Sequence, residues 1–136
     1  MRITCANKQQ LDEIYIHDAL FDGFSYDYER RTIGMVCSKP WESWRVSLCF
    51  ENVIFFSHQS CDFWGRGGNV MWLSVVENPE ALQKLLAKQA EDPNLYQLSW
   101  LDRGIDYLAL ELVTNSGSEL LVICEALEML EETGVA

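Results

Sequence analysis

Apolar and polar residues alternate along most of this chain, and a period of two is typical of β-strands with one buried face. From Trp44 to Phe50 every second side chain is apolar. Residues 20–29 and 32–37 show the same alternation on either side of Arg30 and Arg31, which predicts a β-hairpin. The dominant structure predicted is therefore an antiparallel sheet.

Other segments predict further strands and two short helices. The strands are expected at residues 1–5, 53–56, 70–76, 96–100, 107–113 and 119–124. The uninterrupted apolar run at 53–56 predicts a strand covered on both faces. A helix is predicted over about 8–15, after Asn7 as N-cap, and another from Asn78-Pro79-Glu80 through about Gln89. The segment after Ile123 fits a helix or a strand, and we favour the strand.

These elements predict one α+β domain over residues 1–136. Its antiparallel sheet is expected to have about two short helices packed alongside. A chain of 136 residues has the usual length of a single domain and can bury a core without metal or disulfide support.

Cysteine usage and hydropathy predict a soluble protein of the cytoplasm. The five cysteines include no C-x-x-C pair, which suggests reduced thiols that pack as small apolar residues. Nothing at the N-terminus resembles a signal peptide, and no apolar run reaches the roughly 18 residues of a membrane span.

The net charge of −11 disfavours several classes of ligand. Residues 1–76 contain nine acids and seven bases, whereas residues 77–136 contain twelve acids and three bases. Nucleic acids and anionic membranes both require bases for binding, so neither is expected as a partner. A basic protein would be attracted. The alternative is that the acidity only maintains solubility.

The glycine-rich stretch at residues 64–69 is a candidate partner-binding loop. It lacks the Gly-Lys-Ser/Thr of a phosphate-binding loop, and we expect a flexible hairpin connection with an aromatic rim of Phe63, Trp64 and Trp72. Tryptophan and arginine are typical of binding hot spots. The predicted partner-binding residues are Trp64 and Arg66, with Asp102 and Asp106 from the acidic second half. The apolar runs at 53–56 and 70–76 also allow a homo-oligomer.

Chemistry-bearing residues are few. His17-Asp18 could be a base with its orienting carboxylate, and His58 with Cys61 could bind a metal or form a nucleophile–base pair. A closed zinc site needs four ligands, however, and the chain has only two histidines. No catalytic, metal-binding or cofactor-binding residue is therefore assigned. The alternative prediction is a small ligand-binding or hydrolytic domain with its site near these four residues.

The N-terminal part resembles a group of small uncharacterised bacterial domains. The shared residues are His17-Asp18-Ala19 with Tyr26-Asp27, followed by the W-R-V-x-L-x-F-E-N-V stretch at 44–53. Some related acidic domains are labelled immunity proteins of polymorphic toxin systems. The resemblance spans roughly the first 55 residues and implies a β-rich fold and a protein-binding role, without catalytic residues. The leading hypothesis is a non-enzymatic, acidic protein-binding module.

Overall fold

The structure is a computed structural model that describes residues 1–65, 68–94 and 104–134. Within these residues the strands are β1 (Arg2–Ile3), β2 (Leu20–Asp27), β3 (Thr32–Lys39), β4 (Trp44–Glu51), β5 (Phe55–Gln59), β6 (Val70–Val75), β7 (Leu108–Thr114), β8 (Glu119–Cys124) and β9 (Ala126–Thr133). Helix α1 spans Glu80–Glu91, and 3-10 helices span Lys8–Glu13 and Pro40–Glu42. The predicted α+β class is confirmed.

The strands form two antiparallel sheets rather than one. Sheet A has the order β1-β9-β4-β3-β2, and sheet B has the order β5-β8-β7-β6. Because β4 leads directly into β5 and β8 into β9, one long ladder runs through both sheets. At the bend, Ile54 donates to the carbonyl of Ile123, and Glu125 donates to that of Glu51.

A second junction joins the free edges of the two sheets. Leu20, at the start of β2, pairs with Asn69, just before β6. Beside this pair, the Phe21 amide donates to the Gly68 carbonyl. A Cβ on Gly68 would lie 2.6 Å from the Phe21 oxygen, so only glycine permits this approach.

One hydrophobic core contains residues from both sheets. On β4 the inward side chains of Val46, Leu48 and Phe50 are no more than 2% exposed, which confirms the alternation seen in the sequence. They share the core with inward residues of β7 and β8 such as Leu110 and Val122. The β2–β3 hairpin and the extended form of β9 also agree with the sequence prediction.

Three local predictions were wrong. The segment over 8–15 forms a 3-10 helix at Lys8–Glu13 rather than a longer helix. The strand expected at 53–56 begins only at Phe55, because the positive φ of Asn52 turns the chain between β4 and β5. The 64–69 loop is not a hairpin connection, since β5 and β6 lie at opposite edges of sheet B. The strand predicted at 96–100 lies outside the described residues.

Helix α1 begins and ends close to its predicted limits, but its start differs in detail. Pro79 is the N-cap, whereas Asn78 has a φ of +49° and its carbonyl accepts a hydrogen bond from the side-chain Nε2 of Gln83. None of the side chains of α1 is fully buried, and Leu86 is 37% exposed. The described helices include none that is long and apolar enough to cross a membrane.

All five cysteines are free thiols, and two of them are fully enclosed by the core. Burial raises the pKa of the Cys37 and Cys124 thiols from 9.0 to about 12. The folded state therefore retains protons that the unfolded chain releases above pH 9.0, and the unfolded state gains stability from this ionisation.

The free energy of unfolding is accordingly expected to fall from about pH 9 towards pH 12, and to be insensitive to these thiols below that range. Urea titrations across this range would measure the fall. The double variant C37A/C124A is the control, and its free energy of unfolding should fall less steeply with pH than that of the wild type. Equal slopes would show that the two thiols do not cause the effect.

Candidate functional site: an exposed aromatic surface

Several large apolar side chains are exposed near the β7–β8 turn and the start of β6. Phe63 and Trp64 are 78% and 76% exposed, and their rings contact each other edge to face at 5.1 Å. Tyr15, Met71 and Trp72 are also exposed, and hydrogen bonds connect their segments to the loop of Phe63 and Trp64. We call this group the aromatic surface, and it consists of Tyr15, Phe63, Trp64, Met71 and Trp72.

Hydrogen bonds fix the loop that carries Phe63 and Trp64. The Cys61 amide donates to Ser118 Oγ at 2.9 Å, and this hydroxyl donates to the Cys61 carbonyl at 3.1 Å. The Phe63 amide donates to Cys61 Sγ, and the Trp64 amide donates to the Ser116 carbonyl. The two rings are therefore held on the β7–β8 turn rather than on a free loop.

The Trp64 ring packs on Gly117 within that turn. Gly117 has a φ of +99°, and a Cβ there would lie 3.1 Å from Trp64 Cδ1. Beneath it, the hydroxyls of Thr114 and Ser116 are 2.8 Å apart, and both residues are buried. This support orders Trp64 while most of its ring remains in solvent, an arrangement that lowers the entropy cost of binding.

The same hydrogen-bonded network continues to the other end of the aromatic surface. The Asn115 amide donates to the Asn69 carbonyl at 2.9 Å, and the Asn69 amide donates back to the Asn115 side chain. Asn69 Nδ2 in turn donates to the Asp18 carbonyl at 3.0 Å. Residues 17 and 18 are thus joined to the turn that supports Trp64.

A groove of about 500 Å³ lies between residues 11–17 and β6. Tyr15, His17, Met71 and Trp72 contribute to its walls. His17 Nδ1 lies 2.6 Å from the Met71 carbonyl, which fixes the imidazole at the edge of the groove. The register of β6 shifts between Val70 and Trp72, and this bulge leaves Met71 and Trp72, 38% and 47% exposed, both accessible to solvent.

Most described bases are occupied by contacts within the protein. Arg2, Lys8, Arg45 and Lys84 each pair with a carboxylate. Lys39 is buried, and its ammonium group donates to the Tyr15 carbonyl at 3.1 Å. Since acids outnumber bases by eleven, these pairs leave a strong excess of carboxylates to face a partner.

The acids of the second half do not form one uniform patch. Glu132 pairs with Arg45, Glu128 lies 3.5 Å from the N-terminal ammonium group, and Glu131 accepts a hydrogen bond from the Trp44 indole. Folding therefore places part of the acidic second half against bases and donors of the first half.

The predicted partner-binding residues do not all meet. Trp64 is exposed on the aromatic surface. Arg66 and Asp102 lie outside the described residues. Asp106 is exposed but precedes β7, whereas the turn under Trp64 follows it, so the two are separated by a strand roughly 20 Å long. Asp106 and Trp64 therefore do not belong to one compact site.

Of the four residues of the alternative prediction, His17 and Asp18 contact each other, whereas His58 and Cys61 contact other residues. His17 Nε2 lies 3.4 Å from Asp18 Oδ1 at the aromatic surface. His58 is on β5, where its ring contacts Phe24 at 5.1 Å, and Cys61 is bonded into the loop. In the part of the chain that the structure describes, no cluster of three or more His, Cys, Asp or Glu side chains could hold a metal ion.

A smaller pocket of about 340 Å³ contains the residue types of a hydrolytic site. Asp22, His58, Ser116 and Ser118 all contribute to its lining. The hydroxyls of Ser116 and Ser118, however, bond to each other and to Thr114 and Cys61, and the ring of His58 contacts that of Phe24. Among the described residues, the pocket thus holds no hydroxyl paired with a base.

Sequence reasoning identified Phe63, Trp64 and Trp72 but missed Tyr15 and Met71. The helix predicted over 8–15 includes Tyr15, whereas the structure has a 3-10 helix that ends at Glu13, and the Tyr15 ring is 68% exposed. Met71 was assigned to a regular strand, in which neighbours of Trp72 face the other side. The alternation of apolar and polar residues does not predict the bulge in β6.

No protein-family model, curated protein or solved structure matches this chain.

Proposed function

We propose that this protein is a non-enzymatic module that binds a basic partner protein through its aromatic surface. The observation that carries the proposal is the exposure of Phe63 and Trp64, 78% and 76%, on a loop fixed by hydrogen bonds. Leaving two large rings in water is unfavourable, and such patches on folded proteins are typical of interaction sites.

Two further features support a basic protein as the partner. The chain has a net charge of −11, and the carboxylates of Asp12 and Asp18 lie at the groove and beside His17 on the aromatic surface. Exposed tryptophan on a supported loop is typical of binding hot spots, and surrounding charge steers the encounter. The resemblance to immunity-protein-like domains favours the same role, and the five free thiols fit the predicted cytoplasmic location.

The experiment is a capture assay with the immobilised full chain and a lysate of the cells that encode it. We expect a basic protein to bind at about 0.1 M salt and to be largely lost at about 1 M, where the screening length falls to roughly 3 Å. The variant Trp64→Ala should not retain it. Capture that is insensitive to salt, or equal for the wild type and the variant, would contradict the proposal.

A further inference from the structure

The groove beside His17 has the features of a receptor for one cationic side chain. It combines two exposed aromatic side chains, Tyr15 and Trp72, with the carboxylate of Asp12 among its lining residues. Aromatic faces attract cations through their quadrupole, most strongly for tryptophan, and a carboxylate adds direct charge pairing. Its volume of about 500 Å³ exceeds what one side chain requires.

Charges around the groove also favour a cation. Besides Asp12, the carboxylate of Asp18 lies 3.4 Å from His17 Nε2. The nearby base is Lys39, whose ammonium group is 4.7 Å from the Tyr15 ring centroid. Lys39 is only 6% exposed and is not among the lining residues, so two carboxylates act on the groove against one buried ammonium.

One of the two groove rings, that of Tyr15, already has a cation over it. The Lys39 ammonium lies over the rings of both Tyr15 and Trp44, at 4.7 and 5.1 Å from their centroids, without a carboxylate partner among the described residues. Lys39 thus already engages Tyr15 from within the protein, whereas among the described residues no base lies over the Trp72 ring, which leaves that ring for an incoming side chain. A guanidinium fits best, because it is planar, stacks on aromatic rings and can pair with a carboxylate at the same time.

We infer that the groove between residues 11–17 and β6 binds an arginine side chain of the partner. This inference rests on the proposed function and adds a second contact to it, since the hydrogen-bonded network joins the groove to the loop of Trp64. Trp64 and Phe63 are the apolar anchors, and the groove selects a positive charge beside them.

Nα-acetyl-arginine amide is the probe, and the neutral analogue Nα-acetyl-citrulline amide has nearly the same shape. We expect the arginine probe to shift the NMR signals of the Trp72 indole and the Tyr15 ring saturably. The citrulline probe should bind about tenfold more weakly, because the cation–π and carboxylate contacts are lost. Equal binding of both probes, or shifts that leave Trp72 and Tyr15 unaffected, would overturn the inference.

Two matched variants locate the charge contact. Asp12→Asn should weaken arginine binding by about three- to tenfold, whereas Glu29→Gln, which removes the same charge from an exposed position after β2, should leave it unchanged. Equal losses in both variants would indicate general charge attraction and overturn the groove assignment.

The inference and the proposed function can fail separately. Arginine binding in the groove without capture of any basic protein would preserve the inference and contradict the proposed function. A captured basic protein that needs Trp64, together with no arginine binding at Trp72, would contradict the inference alone.

Discussion

Replacing Trp64 with alanine is expected to weaken binding of the basic partner by at least about 30-fold, which corresponds to roughly 2 kcal/mol. The ring is ordered by Gly117 and by the hydrogen bonds of its loop before any partner arrives, so its burial on binding costs little conformational entropy. Isothermal titration calorimetry with the captured partner would measure the change.

The stability of the variant is expected to remain close to that of the wild type, because 76% of Trp64 is already in solvent. Leu130→Ala is the matched control: it removes a side chain that is 57% exposed on β9 in sheet A, remote from the β7–β8 turn. A similar loss of affinity in both variants would show that Trp64 is not a specific anchor.

Replacing Phe50 with alanine is expected to lower the free energy of unfolding by about 3–5 kcal/mol. Phe50 is 1% exposed and is paired across the sheet with Ile33 on β3 and Leu127 on β9, both of them fully buried. It also occupies the end of β4, just before the ladder bends into sheet B. The cavity would therefore open at the junction of the two sheets, where neighbouring strands cannot easily move inward.

Urea denaturation followed by circular dichroism would measure this loss. The slope of the unfolding free energy against urea concentration should equal that of the wild type if the unfolded state is unaffected. The Leu130→Ala variant again provides the comparison, and its stability should change by less than about 0.5 kcal/mol. A loss below about 1 kcal/mol for Phe50→Ala would contradict the position of this residue in the core.

Much of the strand pattern could be predicted from the sequence, because alternation reports which face of a strand is buried. Val46, Leu48 and Phe50 illustrate this, as does the hairpin of β2 and β3. The 8–15 and 53–56 segments were less predictable. Their limits depend on a 3-10 helix and on the positive φ of Asn52, and the alternation of apolar and polar residues shows neither feature.

The candidate site was only partly predictable for a related reason. Trp64 was identified from its position beside glycines. Met71 became accessible through a bulge in β6, and Tyr15 through the early end of a 3-10 helix. Asp106 was grouped with Trp64 by charge alone, although β7 separates them. Proximity across strands depends on register and strand order, which local pattern does not encode.

The sequence by itself determined the strand-rich class, the net negative charge and the inward residues of strands such as β4, because these follow from the period and composition of short segments. Only the tertiary structure decided that the strands divide into two sheets sharing one ladder, and that residues 15–18, 61–65, 69–72 and 115–118 meet at one edge. That assembly depends on pairings between segments far apart in the chain. Closing the long loops between them costs entropy, which is offset only when the whole core forms.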